Sequence, residues 1–133
     1  MTERPTTHWR RGVAEEAAEL SAGILDPECA YRVELFPEKL LLETDAVLDT
    51  FEAELPTVAG GDDAQIFAVV ERVVLALNAV NEDHDESAFE TDERERLCAY
   101  IDEALTEHGV DVRALTARRG LGRHELTDQW RDW

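Results

Sequence analysis

Carboxylates at helical spacing are the first residues of this chain that could do chemistry. Glu15, Glu16 and Glu19 form a Glu-Glu-x-x-Glu run, and residues three or four apart share a helix face. A hard cation such as Mg2+ is held by several carboxylate oxygens converging on one point, so such a run supplies half of a metal site. A second helix would have to bring carboxylates three residues apart to the same point. The next helix offers Glu43, Asp45 and Asp49, but position 46 is Ala; Leu41 follows Glu38 by three, and Leu55 follows Glu52. With no mate at the right spacing, the run reads as a solvated helix face, and no metal ligand is assigned.

A second acidic group is Glu82-Asp83-His84-Asp85-Glu86. It lacks the glycine and the ladder of ligands that a calcium loop needs, and it reads as a solvated turn. Asn78, Asn81 and His84 form a polar cluster that continues an apolar helix face. Such side chains line a pocket or, more commonly, hold loop backbone by hydrogen bonds. Trp9, Trp130 and Trp133 fit either a partner interface or the pinning of both chain ends to a core. The chain has no Gly-x-Ser-x-Gly, no phosphate-cradling glycine loop and no His-Glu-x-x-His. No catalytic residue and no cofactor is therefore assigned.

The elements that would position these groups are helical. A first helix is expected over about residues 8–25, with Trp9, Val13, Ala17, Leu20 and Ile24 in one stripe and Pro27 as its stop. Residues 28–36 alternate apolar and polar, but no partner strand is in sight, so an extended or short helical segment packed on the bundle is expected. A second helix opens at Pro37 and buries Leu40, Leu41, Thr44, Val47, Leu48, Phe51 and Leu55; Pro56 stops it and a Gly60-Gly61 linker follows, to Asp63. The third helix, about residues 62–82, is the most apolar and should be central, on Ile66, Val70, Val73, Leu77 and Val80, with Phe67, Val69, Val74 and Leu75 broadening the stripe. The fourth is capped by Thr91 or Asp92, with Asp92 and Glu95 at capping-box spacing, and ends at Gly109. Its apolar face runs through Leu97, Tyr100, Ile101, Ala104, Leu105 and His108. Asp111 caps a short helix broken by Gly120 and Gly122, and Leu126, Trp130 and Trp133 then recur at helical spacing.

Charge is unevenly spread along these elements. Residues 12–112 carry 27 of the 31 acidic residues against only five basic ones, a balance of −22, while each end is mildly positive through Arg4, Arg10 and Arg11 or Arg113, Arg118, Arg119, Arg123 and Arg131. A body of this charge repels phosphate backbones and attracts basic surfaces, which argues against nucleic acid as a ligand. The 44% hydrophobic content argues against disorder. No apolar run reaches membrane-spanning length and no secretory leader is visible, so a cytoplasmic protein is expected. Cys29 and Cys98 sit in apolar sequence and are expected to be buried free thiols.

Two resemblances bear on function. The Glu15-Glu16-x-x-Glu19 run is similar to half of the magnesium site in helical nucleotide pyrophosphohydrolases of the MazG type. From residue 36 onward the pattern resembles a small bacterial family of unknown function (domain of unknown function 5713). Phe36-Pro37 opens a Leu-rich helix, Asn78, Asn81 and Glu82 end the next, Glu90-Thr91 and Arg94-Glu95 follow, and Arg131-Asp132-Trp133 closes the chain. The Arg- and Gly-rich stretch Arg118 to Arg123 departs from that pattern. This resemblance implies a compact helical domain and transfers no activity.

The expectation is an all-α protein: residues 1–133 as a single-domain helical bundle of four main helices plus short C-terminal helices. The leading functional reading is a non-enzymatic acidic protein-binding domain, an immunity protein or antitoxin against a basic toxin. Glu15, Glu16, Glu19, Glu82, Asp83, Asp85 and Glu86 are the partner-binding candidates, with no nucleic acid and no membrane as partner. The alternatives are a metal-dependent nucleotide pyrophosphohydrolase and a housekeeping domain whose acidity serves solubility.

Overall fold

The computed structural model describes residues 2–58 and 60–133. It is all-α, with six helices in chain order: α1 (Pro5–Ser21), α2 (Arg32–Leu35), α3 (Glu38–Val58), α4 (Asp63–Asp83), α5 (Thr91–Glu107) and α6 (Val112–Ala117). Short 3-10 turns stand at Pro27–Cys29 and Arg123–Glu125, and no strand occurs among the described residues. α3 and α4 make the broadest packing in the fold, and α5 lies against both α1 and α3. One contiguous core runs from Trp9 to Trp133 through Leu48, Phe51, Val70, Leu77, Leu97, Ile101 and Leu115.

α3 buries Leu40, Leu41, Thr44, Leu48, Phe51, Leu55 and Val58 along one face, the 3.6-residue stripe that drives an amphipathic helix onto a core. Val47 is partly buried beside it. Pro56 does not stop this helix, which runs on through Val58. The proline removes one backbone donor near the helix end, and burial of Val58 offsets that loss. Of the linker expected over residues 56–63, Ala59 lies outside the described residues. α4 opens on a full capping box: the Asp62 carboxylate accepts from the Gln65 amide at 2.8 Å, and the Gln65 side chain accepts from the Asp62 amide at 3.0 Å. α4 is the central helix by burial, although Leu75 points outward.

Further expectations require correction. α1 begins at Pro5 and ends at Ser21, three residues earlier at the start and four at the end. Gly23 (φ 71°), not Pro27, terminates it. The Gly23 amide donates to Leu20 and the Ile24 amide to Glu19, the paired bonds of a left-handed helix cap. The buried face of α1 follows Pro5, Thr6, Trp9, Gly12 and Glu16, leaving Ala17 and Ile24 exposed. α5 starts with Glu90 as N-cap, its carbonyl accepting the first helical bond from the Arg94 amide at 2.8 Å, and no side chain caps it. Asp92 therefore sits inside the first turn, where it meets the positive end of the helix dipole instead of capping.

Residues 126–130 form turns rather than a helix. Asn78 holds that segment in place, donating to the Trp130 carbonyl at 2.7 Å and accepting from the Asp132 amide at 3.0 Å. Cys29 is exposed and only Cys98 is partly buried. The 3-10 turn and α2 bury none of their residues, so the alternating segment lies on the surface and is anchored through Phe36.

Candidate functional site

The basic ends of the chain act as clamps on its acidic middle. Arg4 reaches three α3 carboxylates: Glu52 at 2.6 Å, Asp49 at 2.5 Å and Asp45 at 3.4 Å. Arg10 bridges Asp45 at 2.5 Å and Glu38 at 3.2 Å, and the Thr6 hydroxyl donates to Asp45 at 2.6 Å. At the other end Arg118 forks onto Asp63 at 2.6 and 2.9 Å, Arg119 lies over the Phe67 ring at 3.7 Å from its centroid, and Arg123 forks onto Asp102 at 2.8 and 2.6 Å. The Arg- and Gly-rich stretch is thereby tied to α4 and α5. Its planar forks suit bidentate carboxylate contacts that a lysine cannot make.

Asp45 carries the pH consequence of this clamp. Burial alone would raise its carboxyl, but the Thr6 hydroxyl, Arg10 and Arg4 outweigh burial and hold it below the usual carboxylate value. A carboxyl depressed in the fold contributes stability that is complete above its unfolded value of about 4 and is lost as pH falls through the folded value. Glu93 works in the opposite sense: burial and the neighbouring Asp92 and Glu90 raise its carboxyl above the usual value. Removing the clamp with Arg4→Ala is expected to cost about 1–2 kcal/mol, since partly exposed ion pairs each contribute up to about 1 kcal/mol. Chemical denaturation of this variant and of Asp45→Asn should show the steep loss below about pH 4 reduced relative to the parent.

The clamps sort the carboxylates into two groups. Glu15 and Glu19 on α1, Glu82 and Asp83 in the last turn of α4, and Asp85 and Glu86 in the loop after it are exposed and have no side-chain partner among the described residues. Glu16 belongs to the other group: only 6% exposed, it accepts from the Arg32 amide at 2.9 Å and lies 4.0 Å from the Arg32 guanidinium. It fastens α2 to α1 and is not available to a partner. The acidic loop has one defined shape. Asp85 and Glu86 both occupy the left-handed region at φ 60° and 58°, uncommon for residues with a Cβ. The Glu86 amide bonds the Asn81 carbonyl, and the Asn81 side chain accepts from the amides of Ala88 and Phe89 at 3.0 and 3.3 Å.

Asn78, Asn81 and His84 do not converge on a cavity. Asn78 holds the C-terminus, Asn81 holds the loop, and His84 Nε2 meets the Glu43 carboxylate at 3.2 Å. Trp9 and Trp133 are buried and Trp130 packs on the core. Phe89 connects the two ends, with its ring centroid 6.3 Å from Trp9 and 5.6 Å from Trp133.

The connection between α1 and α3 carries exposed apolar side chains that form no part of the candidate site read from the sequence. Ile24 is 79% exposed, Val33 59%, Tyr31 55% and Leu35 44%. Over residues 12–38 they are accompanied by seven acidic residues and one basic residue, Arg32, itself held by Glu16. Residues 28–36 alternate apolar and polar without a partner strand, and of their large apolar side chains only Phe36 packs against the core.

Among the described residues no helix is long and apolar enough to cross a membrane, and no group of three His, Cys, Asp or Glu is placed to hold a metal ion. Comparison of the chain with protein-family models, with characterised proteins and with solved structures found no match.

Proposed function

We propose that this protein is a non-enzymatic binding protein of the bacterial cytoplasm that docks a basic protein partner, in the manner of an immunity protein or antitoxin. The observation that carries this reading is the coincidence of exposed apolar side chains with unpaired carboxylates. Tyr31, Val33, Leu35 and Ile24 stand exposed on one connection, and Glu15 and Glu19 on the adjoining helix lack partners although the chain's arginines are extensively used in internal pairs. Specific interfaces combine an apolar or aromatic centre with a charged rim. The rim steers a partner of opposite charge, and the centre holds it. The acidic loop at Glu82, Asp83, Asp85 and Glu86 adds to the attractive field. The resemblance to the bacterial family of unknown function is compatible with this reading and adds no activity to it.

Affinity capture from the cell of origin tests the proposal, using the parent protein and the Glu15→Lys, Glu19→Lys double variant as parallel baits. The expected result is a protein of high isoelectric point enriched on the parent and depleted on the variant. A captured protein of neutral or acidic character, retained equally by both baits, would contradict the reading.

A further inference from the structure

Beside the exposed side chains of the α1–α3 connection, an open groove of about 370 Å3 lies between α1, α2 and the first turn of α3. Val13, Ala14 and Ala17 line it from α1, Val33 from α2, and Phe36 and Leu41 from the side of the core. Ala14, Ala17 and Val33 are exposed, so no described segment of the chain covers the groove. Its charged lining residues, Arg10 and Glu38, pair with each other at 3.2 Å, which leaves the interior apolar and without a free charge.

The dimensions suit a helix. Arg10 to Ala17 spans two turns of α1, about 10 Å at 1.5 Å per residue. That is the length over which a docked helix presents its i, i+3, i+4 and i+7 side chains. Ala14 and Ala17 end at Cβ, and so let a second backbone approach to the helix-packing distance of about 8–10 Å.

The surroundings set the charge of the occupant. Glu15 and Glu19 on α1, Glu28 in the following 3-10 turn and Glu34 on α2 are exposed, and none has a side-chain partner among the described residues. Arg32, the one basic residue of segment 12–38, is held by Glu16. Such a rim repels a second copy of this chain, whose formal charge is −18, and attracts a basic segment.

We propose that this groove is a helix-docking site: the basic partner presents an amphipathic helix whose aliphatic or aromatic side chains enter between Val13, Ala17, Val33 and Phe36, while its Lys and Arg residues meet Glu15, Glu19 and Glu34. The inference rests on the docking reading above and narrows it to one mode of recognition.

The test is a fluorescence-anisotropy titration of the whole protein with a labelled Leu/Lys peptide of about fourteen residues, four helical turns, with leucine on one face. Two control peptides accompany it: a scramble of the same composition whose leucines share no face, and a version with Glu in place of Lys. The amphipathic basic peptide is expected to bind saturably below about 1 mM, to gain helix on binding by circular dichroism and to weaken as salt is added. Both controls should bind at least about tenfold more weakly. Ala17→Phe, at an exposed position, fills the groove without removing a core contact and should weaken binding about tenfold or more, whereas Ala18→Phe, exposed on the same helix but outside the groove, should bind as the parent does. Val33→Ser, also at an exposed position, should weaken binding and keeps the test decisive if Ala17→Phe disturbs the fold. The proposal is overturned if the amphipathic peptide does not saturate, if the scramble binds as tightly, or if neither Ala17→Phe nor Val33→Ser alters its affinity. The captured partner separates this inference from the reading beneath it. A basic partner held equally by the parent, Ala17→Phe and Val33→Ser would overturn the groove and leave the docking reading in place. Failure to capture any basic partner would count against the docking reading, and the peptide titration would then decide the groove alone.

Discussion

Leu77→Ala and Ile101→Ala are each expected to destabilise the protein by about 2–5 kcal/mol, the cost of removing a buried aliphatic side chain and leaving a cavity. Both side chains are fully buried, Leu77 on α4 and Ile101 on α5. Their helices are held by different neighbours, α4 chiefly by α3, and α5 by α1, α3 and α6. A site closed in on several sides collapses poorly around a lost side chain, so neither substitution should fall at the low end of that range. A domain of this size has a total stability of roughly 5–15 kcal/mol, and either variant should therefore melt well below the parent. Urea denaturation measures it: the midpoint should drop with an unchanged slope. A change well under 1 kcal/mol at both positions would mean that these stripes do not form the core.

Trp9→Ala is the second large effect, expected at about 3–5 kcal/mol. Trp9 is the one large apolar residue that α1 buries. Its ring stacks on Phe36, with centroids 5.2 Å apart and planes 8° from parallel, and it also faces Phe89. Phe89 in turn meets Trp133. Loss of Trp9 thus loosens α1, the connection into α3, the α4–α5 loop and the C-terminus together. Hydrogen exchange should show lost protection over residues 5–16 and 86–90 at denaturant concentrations that leave α3 and α4 protected. Uniform loss across all helices at once would mean that α1 has no separate role in holding these segments.

Where burial follows local periodicity, the sequence was readable. Every residue expected on the buried face of α3 is buried or partly buried, and Gly109 and Asp111 perform their expected local duties: Gly109 takes φ 86°, and Asp111 caps α6 at the Ala114 amide. α1 was misread because its apolar stripe beyond Trp9 consists of small or medium residues, whereas its buried face is completed by Gly12 and Glu16. Neither of those reads as core. Glu16 is buried because the Arg32 amide, sixteen residues away, needs an acceptor, and nothing local to Glu16 announces that bond. The arginine clamps are equally non-local. Arg118 lies 55 residues from Asp63 and Arg4 lies 48 from Glu52, so composition alone showed basic ends but not where they land.

The clamps also change what the net charge means. A formal charge of −18 suggests an evenly repulsive surface. In the fold, much of the negative charge on α3, and carboxylates of α4 and α5, are neutralised by arginines from both ends. The unpaired carboxylates at Glu15, Glu19 and the acidic loop remain as local fields, which is the form of charge that steers association. If this is their role, the two parts of the docking surface should separate kinetically. Rim charges act mainly on the association rate, and a central aromatic acts mainly on dissociation.

The most direct measurement is therefore the association and dissociation rates of the captured partner at low and high salt. The proteins compared would be the parent, the Glu15→Lys, Glu19→Lys variant and Tyr31→Ala. The account predicts that added salt and the charge reversals both slow association and leave dissociation nearly unchanged, while Tyr31→Ala speeds dissociation. Rates that ignore salt and all three substitutions would contradict it, and would leave solubility as the role of the acidic surface.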